Sequence, residues 1–339
     1  MGGVDRRHRR AATALALVAA MTLAGCARSG VPHRPAAAPA AVPDRYVITG
    51  LKSLPPPDGE VPAEPVSAGG GAPAAPGAIA PQFQYLYGSG EAAALSVQAY
   101  QALVDHVRRR LADEKRDPAA PRRSVVLAPD ASFGEPRFMP CGKEPPAAVF
   151  DVDETLVLNL GYEGVDAQHP GPWDPARWDR WEKTGADKVA AVPGAVEAVR
   201  ALRAMGVTVI FNTNRAAANA AATEAALAGA GLGPARHGET LFLKGDVDGR
   251  SGKDGRRAAI AARWCVVAMG GDQLGDFSDL FAGPPHPARR EAVQRPGIAG
   301  LWGRGWFVLP NPVYGTGLGA TYDQTFPPAT RWADPQEKK

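Results

Sequence analysis

The chain has 339 residues, among them 39 glycines and 33 prolines, and its N-terminal part combines Pro- and Gly-containing runs with long alanine runs. This distribution favours one globular domain behind a poorly ordered leader over two domains. The formal net charge of +3 arises within residues 1–25, and the rest of the chain carries 34 basic and 34 acidic residues. Because a protein that binds nucleic-acid polymer normally keeps a basic surplus, we exclude that class of partner.

Residues 1–25 have the features of an export signal. A basic stretch, Asp5–Arg10, precedes an uncharged apolar segment, Ala11–Ala24, which is too short to span a bilayer permanently. The sequence Leu-Ala-Gly-Cys at 23–26 resembles the bacterial lipobox, so Cys26 is the expected lipidation site. The alternative is an ordinary signal peptide with an incidental cysteine. Lipidation predicts a protein anchored in the cell envelope, and Ala27 favours the outer membrane, facing the periplasm or the cell surface.

The segment that follows the export signal has an unusual composition. Residues 27–80 are rich in Pro, Ala and Gly. Such a segment cannot bury enough apolar surface to offset the entropy of ordering its chain. We therefore predict a disordered tether over 27–80, which joins the membrane anchor to one globular domain over 81–335.

The globular part alternates helical patterns with short apolar runs. Its first helix is predicted over 91–113, where apolar residues recur at helical spacing. Continuous apolar strands that alternate with helices indicate a parallel sheet covered on both faces. The predicted fold class is therefore α/β, with three layers (α/β/α) around a parallel central sheet. The predicted strands are 147–150, 207–211, 241–243, 264–268 and 306–309, and further helices are predicted at 194–205, 216–229 and 252–263.

Polar residues that can carry chemistry follow these strands. In parallel α/β sheets, sites form where strands end at their carboxyl edge. Four segments lie at such places or open the next helix. They are Asp151-Val152-Asp153-Glu154-Thr155, Thr213-Asn214-Arg215, Lys253-Asp254-Gly255-Arg256-Arg257 and Asp272-Gln273-Leu274-Gly275-Asp276.

In this order, the four segments resemble the motifs of the haloacid dehalogenase-like (HAD) superfamily. The runs 193–197 and 309–315 narrow the resemblance to the bacterial lipoprotein acid phosphatases, class B-like enzymes also described as 5′-nucleotidases, over about residues 85 to 325. The resemblance implies a Rossmann-like HAD fold with a small helical cap inserted after the first strand, at about 158–192. Asp174-Pro175 is a typical helix start within that insertion.

The resemblance assigns the chemistry to two aspartates. Asp151 is the expected nucleophile, which attacks phosphorus and forms an aspartyl-phosphate. Asp153 is the expected acid and base, which protonates the leaving oxygen and then activates water. Thr155 is expected to order the loop after the first strand and not to contact substrate. The positive side chain Lys253 is expected to neutralise the phosphoryl group, with Lys244 as its rival.

The implied cofactor is Mg²⁺, which suits a site that offers a few oxygens together with a substrate phosphate. The resemblance implies four metal-site residues: the carboxylates of Asp151 and Asp272, the backbone carbonyl of Asp153, and Asp276, which would hold a metal-bound water. Gln273 stands where this family usually has Asn.

The phosphate oxygens are expected to be bound at the end of the second strand. The resemblance assigns this role to Thr213 and to the backbone N–H of Asn214. Both could instead be ordinary turn residues after a strand. Arg215, Arg256 and Arg257 are expected to be solvated or structural.

Aromatic residues are candidates for stacking on a substrate base. They are Trp178 and Trp173 in the insertion and Tyr314 after the last strand. The alternative for the insertion is a small apolar core of its own, which we favour for Trp181. Downstream, Thr316-Gly317-Leu318 departs from the tryptophan that is usual in the family, which argues against a strict nucleotide preference.

Cys141 and Cys265 are the two cysteines that remain after Cys26. Export would place them in an oxidising compartment, and both precede aspartates expected at the ends of adjacent strands. A disulfide and two unpaired thiols are both compatible with this spacing.

The leading functional hypothesis is a phosphomonoesterase that acts on small organic phosphate monoesters. A phosphotransferase, in which an alcohol replaces water at the aspartyl-phosphate, is a close alternative. A lipoprotein that binds a nucleotide without turnover is a more distant one, because binding alone does not require Asp151 together with an acid at Asp153. The oligomeric state is not indicated by the sequence.

Overall fold

A computed structural model describes residues 79–247 and 249–333, and its first helix begins at Pro81. The strands are β1 (Arg123–Leu127), β2 (Phe138–Pro140), β3 (Pro146–Phe150), β4 (Val157–Leu158), β5 (Ala190–Ala191), β6 (Thr208–Ala216), β7 (Leu241–Lys244), β8 (Cys265–Gly271) and β9 (Trp306–Val308). The α-helices are α1 (Pro81–Phe83), α2 (Gly90–Arg116), α3 (Leu160–Gln168), α4 (Pro175–Thr184), α5 (Ala195–Ala204), α6 (Ala220–Gly229), α7 (Asp254–Ala261), α8 (His286–Val293), α9 (Pro296–Ala299) and α10 (Tyr322–Thr325).

Short non-α helical turns connect several of these elements. A π-helical turn, Gln84–Gly88, joins α1 to α2. The 3₁₀ turns are Ala217–Asn219, Leu274–Asp276, Asp279–Phe281 and Pro328–Thr330.

The five predicted strands form one parallel sheet, in the order β7-β6-β3-β8-β9. β3 lies at its centre, with Phe150 paired to Phe211 of β6 and to Gly270 of β8. The strands are continuous apolar runs because helices cover both faces of the sheet. The predicted α/β fold with a parallel central sheet is therefore confirmed.

Alternate residues of β3 enter two separate apolar clusters. Ala148 and Phe150 face a cluster that includes α2 and α5, whereas Ala147 and Val149 face one that includes β1, α7 and the helices after β8. Such alternation is the consequence of the two-residue period of a strand. The sheet is thus the middle of three layers, as predicted.

Helix α2 fixes one of these layers to the loop after β3. Ser89 caps α2 by accepting a hydrogen bond from the Ala92 N–H, and the helix buries Tyr100, Leu103 and Val107. The Tyr100 hydroxyl donates to the backbone carbonyl of Thr155. Helix packing therefore holds the polar loop that begins at Asp151.

A small helical insertion follows β3. β4 and β5 pair antiparallel at its base, and α3 and α4 lie between them. Asp174 caps α4 through its side chain, which accepts from the Ala176 N–H at 2.9 Å, and Pro175 occupies the first helical position. The expected cap after the first strand of the sheet is present.

Cys141 and Cys265 form a disulfide, which decides the alternative that the spacing left open. Cys265 is the first residue of β8 and pairs with Pro146, the first residue of β3. The bond therefore lies at the amino ends of the two central strands.

The predicted export signal, the lipidation site Cys26 and all but the last two residues of the predicted tether lie outside the described residues. Within the described part of the chain, no helix is both long and apolar enough to cross a membrane.

Candidate active site

The carboxyl ends of β3 and β8 bring two aspartates together. Asp151 follows the last residue of β3, and its N–H donates to the Gly270 carbonyl at 3.0 Å. Asp272 follows the last residue of β8. Neighbouring parallel strands end at the same edge, so Asp151 and Asp272 meet there although they are 121 positions apart in the sequence.

A third carboxylate completes this cluster. The 3₁₀ turn Leu274–Asp276 returns Asp276 toward the sheet, and Gly271 allows this approach because a Cβ there would collide with the Asp276 side chain. Asp151, Asp272 and Asp276 each offer an oxygen, and these oxygens lie within 4.8 Å of one another. Thr155 links two of them, since its hydroxyl lies 2.9 Å from Asp272 and 3.4 Å from Asp151.

Lys253 is the cation of the cluster. Its Nζ donates to Asp151 and, at 2.6 Å, to Asp276. The residue is buried just before α7, where its backbone N–H donates to Asp279 at 2.8 Å. The rival residue, Lys244, is exposed at the end of β7. The geometry therefore joins Lys253, and not Lys244, to Asp151.

Burial and charge shift the titration of these groups. Burial raises the pKa of Asp151 well above its usual range, against the opposing effect of Lys253. Burial, reinforced by the charge of Asp276, raises the pKa of Asp272 to about 7. Burial alone would lower the pKa of Lys253, but the charges of Asp151 and Asp276 raise it.

The cluster has the donors of a divalent cation site. Three crowded carboxylates face one lysine, and hard oxygen donors of this kind suit Mg²⁺ or a similar ion. Burial and, after it, the charge of Asp276 raise the pKa of Asp272, and a bound cation would favour the ionised carboxylate. The residues present therefore fit a metal, and Asp276 contributes a carboxylate that is already held by Lys253 and by the Gln273 N–H at 2.9 Å.

Asp153 lies apart from the carboxylate cluster, on the side of the second motif. Its Oδ1 accepts from Arg215 Nη2 at 2.7 Å, Arg215 Nε at 2.9 Å and Asn159 Nδ2 at 3.0 Å. Its Oδ2 has longer contacts, 3.2 Å to Arg215 Nε and 3.3 Å to the Thr213 hydroxyl. A buried guanidinium and a buried amide therefore hold one oxygen of Asp153, and Thr213 lies beside the other.

The second motif sits in an irregular part of β6. The strand was predicted to end at 211, but it continues to Ala216 with a break in register between Asn212 and Ala216. Such a bulge turns side chains toward a site. Arg256 supports the bulge from α7, because it donates to the Thr213 carbonyl and, at 2.5 Å, to Asn214 Oδ1. Arg256 and Arg257 are buried and structural. Of the two expectations for them, solvated or structural, the second is therefore correct.

The aromatic candidates in the insertion have different surroundings. Trp173 is 62% exposed, whereas Trp178 packs edge-on against Tyr162 at 4.9 Å between ring centroids. The Trp178 N–H donates to Glu182 at 2.6 Å, and the Trp181 N–H donates to Asn159 at 3.1 Å. Trp178 and Trp181, both half-buried, thus contribute to the packing of the insertion, and Trp173, whose ring lies 5.5 Å from that of Trp178, is the most exposed of the three.

Tyr314 reaches the same region from the loop after β9. Its hydroxyl donates to Glu154, a buried carboxylate that also accepts from the Asn159 N–H at 2.8 Å. Burial raises the pKa of Glu154 to about 7. Glu154 has φ 52°, the one non-glycine residue with positive φ in the described chain, which marks a tight loop between the two aspartates and β4. The same β9 loop supplies Asn311, which donates to Asp272 at 2.8 Å.

Three residues of this site were not indicated by the sequence. Arg215 was expected to be solvated or structural, and the structure shows it buried and paired with Asp153 at 2.7 Å. Asn159 bridges Asp153 and Glu154, and Glu182 receives the Trp178 N–H. Neither has a local sequence pattern that would reveal its role, because Asn159 accepts from Arg215 and Glu182 accepts from the Ala216 N–H, 56 and 34 positions further along the chain.

Comparisons with known proteins agree with this fold. A family model described as HAD superfamily, subfamily IIIB (Acid phosphatase), matches residues 120–317. A solved structure of the class C acid phosphatase from Bacillus anthracis is similar at 26% identity and TM-score 0.57, covering 73% of this chain and 89% of that one. The structure of that phosphatase with tungstate bound is similar at 25% identity and TM-score 0.56, with the same coverage.

Proposed function

The chain belongs to subfamily IIIB of the HAD superfamily and is a phosphomonoesterase of the acid phosphatase type, and from this premise we propose a mechanism for it. We propose that it hydrolyses small organic phosphate monoesters through an aspartyl-phosphate on Asp151. The observation that carries the proposal is the contact of Lys253 Nζ with both Asp151 and Asp276 in a nearly buried cluster. A carboxylate held there beside a cation is suited to attack a phosphate, whose own charge would otherwise repel it.

The first step forms the intermediate. An oxygen of Asp151 bonds to phosphorus while the bond between phosphorus and the ester oxygen breaks, and Asp153 gives its proton to the departing alcohol. Thr213 and the Asn214 backbone N–H bind phosphate oxygens in this proposal, and Lys253 neutralises the transferred group. The position of Thr213 beside Asp153 Oδ2 supports this arrangement, because substrate would then lie next to the proton donor.

The second step returns the enzyme to its starting state. Asp153, now ionised, takes a proton from water, whose oxygen bonds to phosphorus while the Asp151–phosphorus linkage breaks. Inorganic phosphate leaves, and Asp153 is again protonated. With an alcohol in place of water, the same step would be phosphotransfer, so analysis of products with added glycerol separates the two reactions.

Mg²⁺ is the proposed cofactor. The Asp151 and Asp272 carboxylates and the Asp153 carbonyl would hold it, with Asp276 nearby, and it would supply Lewis-acid neutralisation of the phosphate charge. Thr155, Asn311 and Gln273 would orient Asp272, since each donates to it, the first two at 2.9 and 2.8 Å and Gln273 Nε2 at 2.9 Å.

The proposed substrates include nucleoside 5′-monophosphates among other small monoesters. Trp173 and Tyr314 both retain exposed ring surface on which a base could stack, and the Tyr314 hydroxyl is anchored on Glu154. Ranking of kcat/KM across nucleoside monophosphates, sugar phosphates and p-nitrophenyl phosphate tests this part of the proposal. Equal values for all would remove the stacking role.

We further propose that the protein is anchored in the cell envelope through a lipid on Cys26. This rests on the sequence of residues 1–26 alone. In a bacterial host, a Cys26→Ser variant should move from the membrane fraction to the soluble fraction. Retention of that variant in the membrane would contradict the proposal.

The catalytic proposal is tested with residues 27–339 and p-nitrophenyl phosphate, in Mg²⁺, in EDTA, and with Asp151→Asn. We expect metal-dependent release of phosphate, and a loss of at least about 10³-fold in kcat with Asp151→Asn, because the amide is a poor nucleophile. Asp166→Asn is the matched control, since it makes the same change to a carboxylate of α3 that pairs with Arg177. A folded Asp151→Asn protein with wild-type turnover would refute the mechanism, and ligand binding without turnover by the wild type would favour the binding lipoprotein.

A further inference from the structure

Glu182, on the cap helix α4, is a buried carboxylate outside the set of residues that contact substrate in the proposal. Its oxygens accept hydrogen bonds from the Ala216 N–H at 3.0 Å, from Asn219 Nδ2 at 2.7 Å and from the Trp178 N–H at 2.6 Å. Two of these donors belong to the chain that leaves the β6 bulge. Burying a carboxylate costs stability unless it is well bonded, so three donors at this point fasten the cap to the end of β6.

The residue immediately before Ala216 is Arg215, and its charge interacts with those of two carboxylates, Asp153 and Glu182. Its guanidinium pairs with Asp153 at 2.7 Å, and the charge of Glu182, after that of Asp153, contributes to a raised pKa of Arg215 despite its burial. The Trp178 ring lies 6.0 Å from the guanidinium carbon. The Arg215 side chain is therefore bound by Asp153 on the catalytic side, while on the cap side the Trp178 ring lies near it and Glu182 accepts from the N–H of the next residue, Ala216.

Asn159 gives a second connection between the cap and Asp153. Its Oδ1 accepts from Arg215 Nη2 at 2.9 Å and from the Trp181 N–H at 3.1 Å, and its Nδ2 donates to Asp153 Oδ1 at 3.0 Å. Two of the three cap tryptophans thus bond to this network: Trp181 donates to Asn159, which contacts both Asp153 and Arg215, and Trp178 donates to Glu182, which accepts from the Ala216 N–H.

The two oxygens of Asp153 are held unequally. Oδ1 receives three N–H donors within 3.0 Å, whereas Oδ2 has contacts of 3.2 and 3.3 Å only, one of them with Thr213. An oxygen with three close donors cannot readily carry a proton, because the proton would face those N–H groups. The oxygen with freedom to hold and pass a proton is Oδ2, and it lies on the side of the phosphate-binding residue.

We propose that Glu182 and Arg215 are positioning residues for Asp153: Glu182 fixes Arg215 from the cap, and Arg215 anchors Oδ1 so that Oδ2 transfers the proton. The inference rests on the proposed function, because it needs Asp153 to be the proton donor and acceptor. It assigns the cap a part in the chemical step, in addition to covering the site.

Substrates with different leaving groups test this role. An alkyl phosphate such as glycerol phosphate needs a proton on its leaving oxygen, whereas p-nitrophenolate leaves without one. We expect Glu182→Gln to lower kcat/KM for glycerol phosphate by about tenfold and for p-nitrophenyl phosphate by less than about threefold. Glutamine keeps the length of Glu182 but has one oxygen for three donors, so Arg215 would lose its fixed position.

Arg215→Lys is the second variant, and it keeps the cap side chains unchanged. Lysine retains the charge but cannot hold Oδ1 with two N–H groups at once, so we expect the same preferential loss with glycerol phosphate. Asp166→Asn is the matched control, because it also converts a cap carboxylate to an amide, and it should leave the ratio of the two kcat/KM values unchanged.

A double-mutant cycle with Asp153→Asn completes the test, measured as single-turnover phosphoryl transfer. If Glu182 acts through Asp153, then adding Glu182→Gln to Asp153→Asn should reduce the rate by less than about twofold further. Equal losses on both substrates, or additive losses in the cycle, would overturn the positioning role. A wild-type enzyme without Asp151-dependent turnover would overturn the proposed function itself, and this inference with it.

Discussion

The two ends of the central strands β3 and β8 are built from opposite kinds of interaction. At their amino ends, Cys265 is joined to Cys141 by a disulfide and lies fully buried among apolar side chains. At their carboxyl ends, Asp151 and Asp272 lie nearly buried with one lysine between two of the three clustered carboxylates. A covalent bond and apolar contacts involve no titrating charge, so their contribution to stability does not depend on pH near neutrality. Buried charges of one sign lower its stability unless they are compensated, and such clusters are typical of functional sites.

Removal of the disulfide should give the largest change in stability. It closes a separation of 124 residues, so Cys141→Ser should lower the free energy of unfolding by about 4 kcal/mol, because the unfolded chain regains the entropy of that loop. Urea denaturation measures the loss. Since the bond lies at the end of the strands away from the site, kcat should stay within about twofold of wild type.

The wild-type protein in reducing agent is the control for this variant, and it should show the same loss. A change of less than about 1 kcal/mol would mean that apolar packing alone holds the amino ends of the strands. A fall in kcat without unfolding would mean that the two ends are mechanically coupled.

At the carboxyl ends of β3 and β8, where the charged groups lie, stability should instead depend on pH and on metal. The folded-state pKa of Asp272 and that of Glu154 are each raised to about 7, from usual values near 4. The folded protein therefore binds more protons than the unfolded chain between about pH 4 and 7, and its stability falls as the pH rises through that window. In EDTA, we expect the free energy of unfolding to be lower at pH 8 than at pH 5 by an amount on the order of a few kcal/mol.

Mg²⁺ should remove the part of this pH dependence that comes from Asp272, because a bound cation favours the ionised carboxylate. Asp272→Asn is the matched variant, and it should show a smaller slope with pH in EDTA and little response to Mg²⁺. Stability that rises toward pH 8 in EDTA, or an equal response of wild type and variant, would contradict this description of the site.

The same contrast explains what could be predicted from sequence. The five strands of the sheet follow from runs such as 147–150, because burial on both faces demands continuous apolar residues. The meeting of Asp151 with Asp272 follows from the rule that parallel strands end at one edge. These features depend on local pattern and on topology, and both are readable from one chain.

Contacts made by long side chains across the fold were not predictable. The pairing of Arg215 with Asp153 depends on the bulge in β6, whose register break has no sequence pattern that we recognised. The hairpin of β1 and β2, and the bonding of Glu182 to the end of β6, depend on tertiary packing between segments far apart in sequence. The spacing of Cys141 and Cys265 allowed a disulfide but also two unpaired thiols. The choice between them depends on the strand order, which the structure provides.

The smallest expected effect on stability comes from removal of the Tyr314 hydroxyl. It measures what one hydrogen bond contributes at the carboxyl ends of the strands. Tyr314→Phe removes one donor to Glu154, which keeps the Asn159 N–H at 2.8 Å and the Tyr87 hydroxyl at 3.2 Å. The free energy of unfolding should fall by about 1 kcal/mol, the usual net contribution of one hydrogen bond. Urea denaturation checks this, and Tyr87→Phe is the matched control, with an equal or smaller loss expected from its longer bond.

Phenylalanine at 314 keeps the ring, so the variant also separates anchoring from stacking. If the ring contacts a substrate base, KM for nucleoside monophosphates should rise with Tyr314→Ala far more than with Tyr314→Phe, while KM for glycerol phosphate should change little with either. A loss above about 3 kcal/mol with Tyr314→Phe would show that Glu154 depends on this one donor. The carboxyl ends of the strands would then resemble the amino ends, each held by one dominant bond, and the contrast between them would fail.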